Sequence, residues 1–209
     1  MPGALKYMQE HPIELELRAE LSASVKSNIL EKLKEIGSLT SNTKRLSVMF
    51  FGEVNGQKLD IRVRVTNGNC EVVSKAGIFG SHNRTEVSQS ITKEQFIGMV
   101  RFLSQLKFET KIGERETTNF ELPNNIIASV VSAKHICYLE LEKISTSAEE
   151  KANHIELQNL ASQLAVTLIN TEDEFQELIK RLNNEVDWFF NYTPEDYKEL
   201  ETTLHNYFS

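Results

Sequence analysis

The sequence predicts an α+β fold: an antiparallel, largely closed sheet with helices packed on its outside. Three observations predict it. Most of the first 143 residues alternates apolar and polar side chains with a period of two, the mark of half-buried strands. Only two stretches at helical spacing interrupt that alternation. From residue 148 onward the apolar period lengthens to that of helices and stays there. Strands broken by two helices and followed by a helical tail suit one sheet with helices segregated around it.

The elements follow in order. Residues 12–21 alternate and read as a strand. Residues 24–36 place Ile29, Leu30, Leu33 and Ile36 at helical spacing, with Gly37 as a stop. Two strands at 44–53 and 58–66 meet at Asn55-Gly56, the strongest short hairpin signal. Thr66-Asn67-Gly68-Asn69 turns the chain into a strand at 70–75. Residues 76–83 hold two glycines and read as a loop, and 84–88 as a further strand. A helix at 92–106 is opened by Thr92 with Gln95 and carries Phe96, Met99, Phe102, Leu103 and Leu106 as its apolar stripe. Strands at 107–112 and 115–122 precede the break at Pro123-Asn124-Asn125. Strands at 126–132 and 135–143 complete the sheet. Helices at 148–166, 172–190 and 194–207 close the chain, the last opened by Thr193-Pro194-Glu195-Asp196. Trp188, Phe189 and Phe190 fall near the end of a helix and are expected to pack on the sheet.

Composition bounds the possibilities. The chain has 209 residues, 40% hydrophobic and 25% charged, with enough length for a single domain and a substantial core. A net charge of −7 argues against a protein that coats nucleic acid. No apolar run is long enough to span a bilayer, and no apolar segment near the N-terminus resembles a secretion signal, so no membrane partner is expected. Cys70 and Cys137 lack metal-ligand spacing and fall in strand segments; free thiols in a reducing, cytoplasmic compartment are the expectation. The five histidines are dispersed and form no zinc spacing. Gly77-Ile78-Phe79-Gly80 lacks the pattern of a phosphate-binding glycine loop.

The chemistry lies in the charged faces of the strands. Glu14-Leu15-Glu16 and Glu140-Leu141-Glu142 each place two carboxylates on alternate residues. Alternate side chains share a face, roughly 7 Å apart at about 3.4 Å rise per residue. Brought together, these carboxylates repel unless a cation lies among them, and Mg²⁺ or Mn²⁺ prefers such oxygen donors. Glu14, Glu16, Arg18 and Glu20 share one face. Asp60, Arg62 and Arg64 share another, opposite Ile61, Val63 and Val65. Lys75 aligns with Glu71 and Val73, Arg84 with Glu86, Lys111 with Glu109, and Arg115 with Thr117, Asn119 and Glu121. On any single strand, such a face is ordinarily just a wet surface. Taken together, with helices able to cover the apolar outside, the charged faces predict a polar lumen that needs internal pairing, water or a charged ligand. Carboxylates for a metal and Arg and Lys for anionic oxygens fit a metal–polyphosphate complex.

These residues resemble a known family. Glu14-x-Glu16-x-Arg18 is similar to the opening ExExK motif of the CYTH superfamily, the triphosphate tunnel metalloenzymes, which include class IV adenylyl cyclases, thiamine triphosphatases and inorganic triphosphatases. Leu59-Asp60-Ile61-Arg62-Val63-Arg64 resembles its basic strand, and Glu71-Val72-Val73-Ser74-Lys75 the strand that follows. Arg84-x-Glu86 falls in the place of its Arg-x-Glu element, Arg115 in that of its later basic strand, and Tyr138-Leu139-Glu140-Leu141-Glu142 resembles its closing ExE strand. The similarity spans about residues 12–143, a tunnel core, with 148–209 as a C-terminal helical region. Three positions depart from the pattern. Arg18 stands for the usual lysine, Gly113 precedes Arg115 where a Lys-x-Arg pair is expected, and 128–132 carries no acidic residue.

The resemblance implies an eight-stranded antiparallel β tunnel that binds a triphosphate. It implies metal-dependent hydrolysis of inorganic tripolyphosphate, a nucleoside triphosphate or thiamine triphosphate. Glu14, Glu16, Glu140 and Glu142 would hold Mg²⁺ or Mn²⁺ or position its water. Arg62, Arg64, Lys75, Arg84 and Arg115 would grip the phosphates, assisted by Arg18 and Lys111. Two alternatives stand beside it: cyclisation of ATP to cyclic AMP, and non-catalytic binding of polyphosphate or phosphorylated ligands.

Overall fold

The computed structural model describes residues 13–76 and 85–208. Of the loop expected at 76–83, Ala76 ends strand β4 and 77–83 lie outside the described residues, as does Arg84. Strand β1 (Ile13–Leu21) leads into α1 (Ala23–Ile36), whose first turn is capped by the Ser22 hydroxyl. Strands β2 (Ser38–Val54), β3 (Gln57–Thr66), β4 (Asn69–Ala76) and β5 (Thr85–Ile91) follow. Asn55 and Gly56, then Asn67 and Gly68, take left-handed φ of 51°, 77°, 46° and 81°, as two-residue hairpin turns require. Helix α2 (Gln95–Leu103) precedes β6 (Glu109–Leu122), β7 (Ile126–Ala133) and β8 (Ile136–Ser145). The chain ends in α3 (Glu150–Leu164), α4 (Glu172–Arg181), a short strand β9 (Trp188–Phe189) and α5 (Pro194–Leu204). Thr171 and Thr193 form full capping boxes with Glu174 and Asp196 at the starts of α4 and α5.

Several boundaries differ from the sequence expectation, for physical reasons. The strands expected at 107–112 and 115–122 form the single strand β6, which runs on through Gly113 and begins only at Glu109, because Lys107 takes a left-handed φ of 55° as the cap of the preceding turn. Strand β2 begins six residues earlier than expected, because the polar run before Lys44 pairs with Thr117, Thr118 and Asn119 on β6. Helix α2 starts later than Thr92. The Gln95 side chain accepts from the Thr92 amide at 2.8 Å, but the N-cap is Glu94, which makes no side-chain cap bond. The helix expected over 172–190 stops at Arg181. A π-helical turn over Leu182–Val186 follows, and then Trp188 and Phe189 pair with Ile112 and Lys111 as β9. These aromatic residues belong to a strand rather than a helix end; Phe190 is buried and Phe189 half exposed.

Among the described residues the strands form one antiparallel sheet in the order β1-β8-β7-β6-β2-β3-β4-β5, with β9 added to β6. Strand β1 and strand β5 are its edges. The sheet is strongly curved, with residues of β1, β2, β3, β4, β6, β7 and β8 lining one cavity on its concave face.

Alternation assigns the faces. On the convex side, Leu15, Ala19, Leu139 and Leu141 pack against Ile29 and Leu33 of α1 and Leu157, Ala161 and Leu164 of α3. Leu46, Val48, Phe50, Val63 and Val65 pack against Phe96 and Val100 of α2 and Leu200 and Leu204 of α5. Burying each such side chain contributes on the order of 1.5–3 kcal/mol. Helix α4 differs: its Leu178, with Leu182 and Val186, packs on Val131 and Tyr138 and faces the cavity. It is tied to β1 on either side: just before the helix the Ile169 amide donates to the Arg18 carbonyl at 2.8 Å, and at its last residue Arg181 pairs with Glu20 at 2.8 Å. The concave surface is therefore charged along the strands and closed over one part by an apolar helix face.

Among the described residues no helix is long and apolar enough to cross a membrane. Cys70 and Cys137 are free thiols, on β4 and β8.

Candidate functional site

The cavity measures about 700 Å³, within the range of small-molecule sites. One wall is acidic. Glu14 and Glu16 come from β1, Glu140 and Glu142 from β8, and the pairing sets Glu16 beside Glu142 and Arg18 beside Glu140. The Arg18 Nε donates to Glu140 Oε1 at 2.9 Å, and its other end pairs with Glu16. Its guanidinium carbon lies 4.9 Å from the centroid of the Phe175 ring on α4. Burial opposes the Arg18 charge, but Glu140 and Glu16 outweigh it and hold the proton more tightly than usual.

The carboxyl groups carry more negative charge than that one arginine offsets. Burial, then the neighbouring Glu140, push Glu16 from 4.5 up to about 8 despite Arg18. Burial and Glu14 push Glu142 up to about 7, with Lys75 pulling the other way. Lys75 and Glu142 line the same cavity although β4 and β8 lie far apart in the strand order, which shows how far the sheet curls.

A second wall is basic. Arg45 on β2, Arg62 on β3 and Lys75 on β4 line it. Arg62 forms a forked pair with Asp60, at 2.9 and 2.7 Å, and Asp60 is 2% exposed. Arg45 donates to the Thr66 hydroxyl at 2.9 Å. Burial, followed by the Arg64 charge, lowers its affinity for its proton, and Glu71 only partly compensates. A cation held in partly desolvated surroundings beside other cations is a strong site for an anion.

The remaining wall is built on β6 and the segment after α4. Arg115 forms a forked pair with Asp187, Nη1–Oδ1 2.7 Å and Nη2–Oδ2 3.1 Å. Tyr138 lies within hydrogen-bonding reach of Arg115, and burial and Glu140 push its phenol up to about 12.

The structure thus gathers Glu14, Glu16, Arg18, Arg62, Lys75, Arg115, Glu140 and Glu142 around one cavity. It places two of the expected residues elsewhere. Arg64 lies beside the lining and donates to Glu71 at 2.8 Å. Lys111 is turned toward the segment that follows α4, its Nζ 3.3 Å from the Asn183 carbonyl and 4.4 Å from the Phe189 ring centroid. Arg45, Tyr138 and Asp187 were missed. The alternation of Arg45, Ser47 and Met49 against Leu46, Val48 and Phe50 carried the signal for Arg45. Tyr138 shares parity with Glu140 and Glu142. Asp187 had no local signal.

Among the described residues no group of three or more His, Cys, Asp or Glu side chains is arranged to hold a metal ion. The carboxyl groups nevertheless supply hard oxygens in pairs, from half-buried Glu16, Glu140 and Glu142 and exposed Glu14. That suits Mg²⁺, which typically takes one or two carboxylates and completes its shell with substrate phosphates and water.

The molecule so defined is a curved antiparallel sheet enclosing a cavity with an acidic and a basic wall. No protein-family model matches the chain, and no curated protein matches it in sequence. Solved structures share the fold. The PH1819 protein of Pyrococcus horikoshii is similar at 17% identity over 80% of this chain and 99% of its own, with a TM-score of 0.58. A candidate adenylate cyclase from Vibrio parahaemolyticus matches at 14% identity over 80% and 98%, also with a TM-score of 0.58. The PH1012 protein of P. horikoshii matches at 18% identity over 75% and 92%, with a TM-score of 0.56. These likenesses show a shared fold, the curved antiparallel sheet that the sequence predicts.

Proposed function

We propose that the chain is a metal-dependent triphosphatase acting on a triphosphate-containing small molecule. The observation that carries this reading is the meeting, across one cavity, of two carboxylate pairs and a wall of Arg45, Arg62 and Lys75. Glu14, Glu16, Glu140 and Glu142 would hold Mg²⁺ or Mn²⁺, which supplies Lewis-acid polarisation of phosphate oxygens when bound. The protein's own groups do the rest. Arg45, Arg62 and Lys75 bind the phosphate oxygens, orient the chain of phosphates and stabilise charge that moves onto the leaving phosphate. Arg18 holds Glu16 and Glu140 in place through its two ion pairs. Phe175, Leu178 and Leu182 cover one part of the cavity with apolar surface.

The test is phosphate release from tripolyphosphate, ATP and thiamine triphosphate with Mg²⁺ and Mn²⁺ compared, products being resolved so that cyclic AMP would be seen. Glu14→Gln and Glu140→Gln each lose activity by at least a hundred-fold while keeping the wild-type circular dichroism spectrum. Full activity in either variant refutes the carboxylate role. The internal pairing of Arg62 with Asp60 and of Arg115 with Asp187 favours a second reading, a non-catalytic polyphosphate binder. That reading requires ligand-dependent thermal stabilisation without phosphate release.

A further inference from the structure

Arg115 points into the cavity, yet its charge is already met. The Asp187 carboxylate takes both ends of the guanidinium, at 2.7 and 3.1 Å, and the Asp187 side chain is only 2% exposed. Room for it comes from β6 itself. A Cβ added at Gly113 would lie 2.6 Å from Asp187 Oδ1, so the missing side chain at 113 is the space that the carboxylate fills. The Lys-x-Arg pair expected on this strand would put two cations here; the chain instead offers one, neutralised from within.

This carboxylate does not sit on a swinging segment. Its own amide donates to the Leu182 carbonyl at 2.9 Å, closing the π-helical turn. Lys134 Nζ donates to the Val186 carbonyl at 2.9 Å, and Val186 is buried with Leu178 and Leu182. On the other side Trp188 and Phe189 pair with β6, and the Phe190 amide donates to the Thr110 carbonyl at 2.9 Å. Asp187 is thus clamped between an apolar cluster and a strand pairing.

We infer that Asp187 is a built-in anion occupying the Arg115 end of the cavity, and that it sets the length of phosphate chain the site rewards. The inference rests on the polyphosphate reading of the cavity. A ligand is then held from the β2–β4 wall alone, by Arg45 and Lys75, with Arg62 sharing its charge with Asp60. An additional phosphate that reaches toward Arg115 meets a carboxylate and gains nothing.

The probes are tripolyphosphate and pyrophosphate, titrated calorimetrically against the intact chain in metal-free buffer. Wild-type protein binds the two with affinities within about three-fold of each other. Asp187→Asn frees the guanidinium and strengthens tripolyphosphate binding about ten-fold, the effect of gaining one charge-assisted contact, while pyrophosphate shifts less than three-fold. Equal strengthening of both ligands, or no change in either, overturns the inference while leaving the polyphosphate site standing. Absence of binding in wild type and variant alike removes both. Should Asp187→Asn fail to fold, the double variant Asp187→Asn/Arg115→Gln, which removes both charges, carries the test. It retains wild-type affinity for both probes if Arg115 is internally neutralised; a ten-fold loss for tripolyphosphate shows that Arg115 serves the ligand and overturns the inference.

Discussion

Replacing Glu16 by Gln should make the metal-free protein more stable at pH 8, although the residue lies in the candidate site. Glu16 titrates at about 8 in the folded chain against 4.5 unfolded, because burial and Glu140 disfavour its charge. Below pH 4.5 it is protonated in both states and imposes no penalty. Between 4.5 and 8 the unfolded chain gives up a proton that the folded chain keeps, so unfolding is progressively favoured and stability falls as pH rises. Above 8 the penalty is constant. At about 1.4 kcal/mol per pH unit, the ceiling is about 5 kcal/mol. The side chain stays 29% exposed, pairs with Arg18, and shares the burden with Glu142, so a gain of about 2 kcal/mol is the expected figure. For a chain of this size that raises Tm by about 4–8 °C. Thermal denaturation in chelator at pH 5 and pH 8 measures it: the two proteins converge at the lower pH and separate at the higher. A Gln variant less stable than wild type at pH 8, or a gap that does not change with pH, refutes the premise of a crowded, desolvated carboxylate.

Three further outcomes follow from the geometry. Arg45→Met, which keeps an unbranched apolar stem and removes a charge repelled by Arg64 and Arg62, holds Tm within about 3 °C of wild type and weakens tripolyphosphate binding about ten-fold by calorimetry. Unchanged affinity would remove Arg45 from the anion wall. Gly113→Ala drives a methyl group into the Asp187 carboxylate and costs about 1–3 kcal/mol, read as a lower urea midpoint. Thr193→Ala removes the α5 cap and costs about 1 kcal/mol in the same assay, with phosphate release unaffected.

Much of this site was legible because β structure has a strict period of two. The same parity that set Glu14, Glu16, Glu140 and Glu142 opposite leucines placed them on the concave face, and the Asn55-Gly56 and Asn67-Gly68 turns fixed strand neighbours locally. What failed to show was set by contacts distant in sequence. Gly113 reads as an interruption of a strand, since glycine packs nothing; its reason for being there is a carboxylate 74 positions later. Phe175, Leu178, Leu182 and Val186 keep helical spacing through the π-helical turn, so the switch to β9 is invisible until β6 offers its hydrogen bonds. Lys111 has the parity of Arg115 but is claimed by Asn183 and Phe189, which only the fold brings to it.

The order of the strands has a mechanical corollary. Among the described residues β1 and β5 do not pair, so the ring of backbone hydrogen bonds is left with a seam. Glu14 stands near one lip of that seam and Lys75 near the other. The backbone route between them runs the long way round, through β8, β7, β6, β2 and β3. An occupant that carries positive charge toward Glu14 and negative charge toward Lys75 would serve as a clasp, and tension across the opening would be borne by the cargo instead of by the polypeptide.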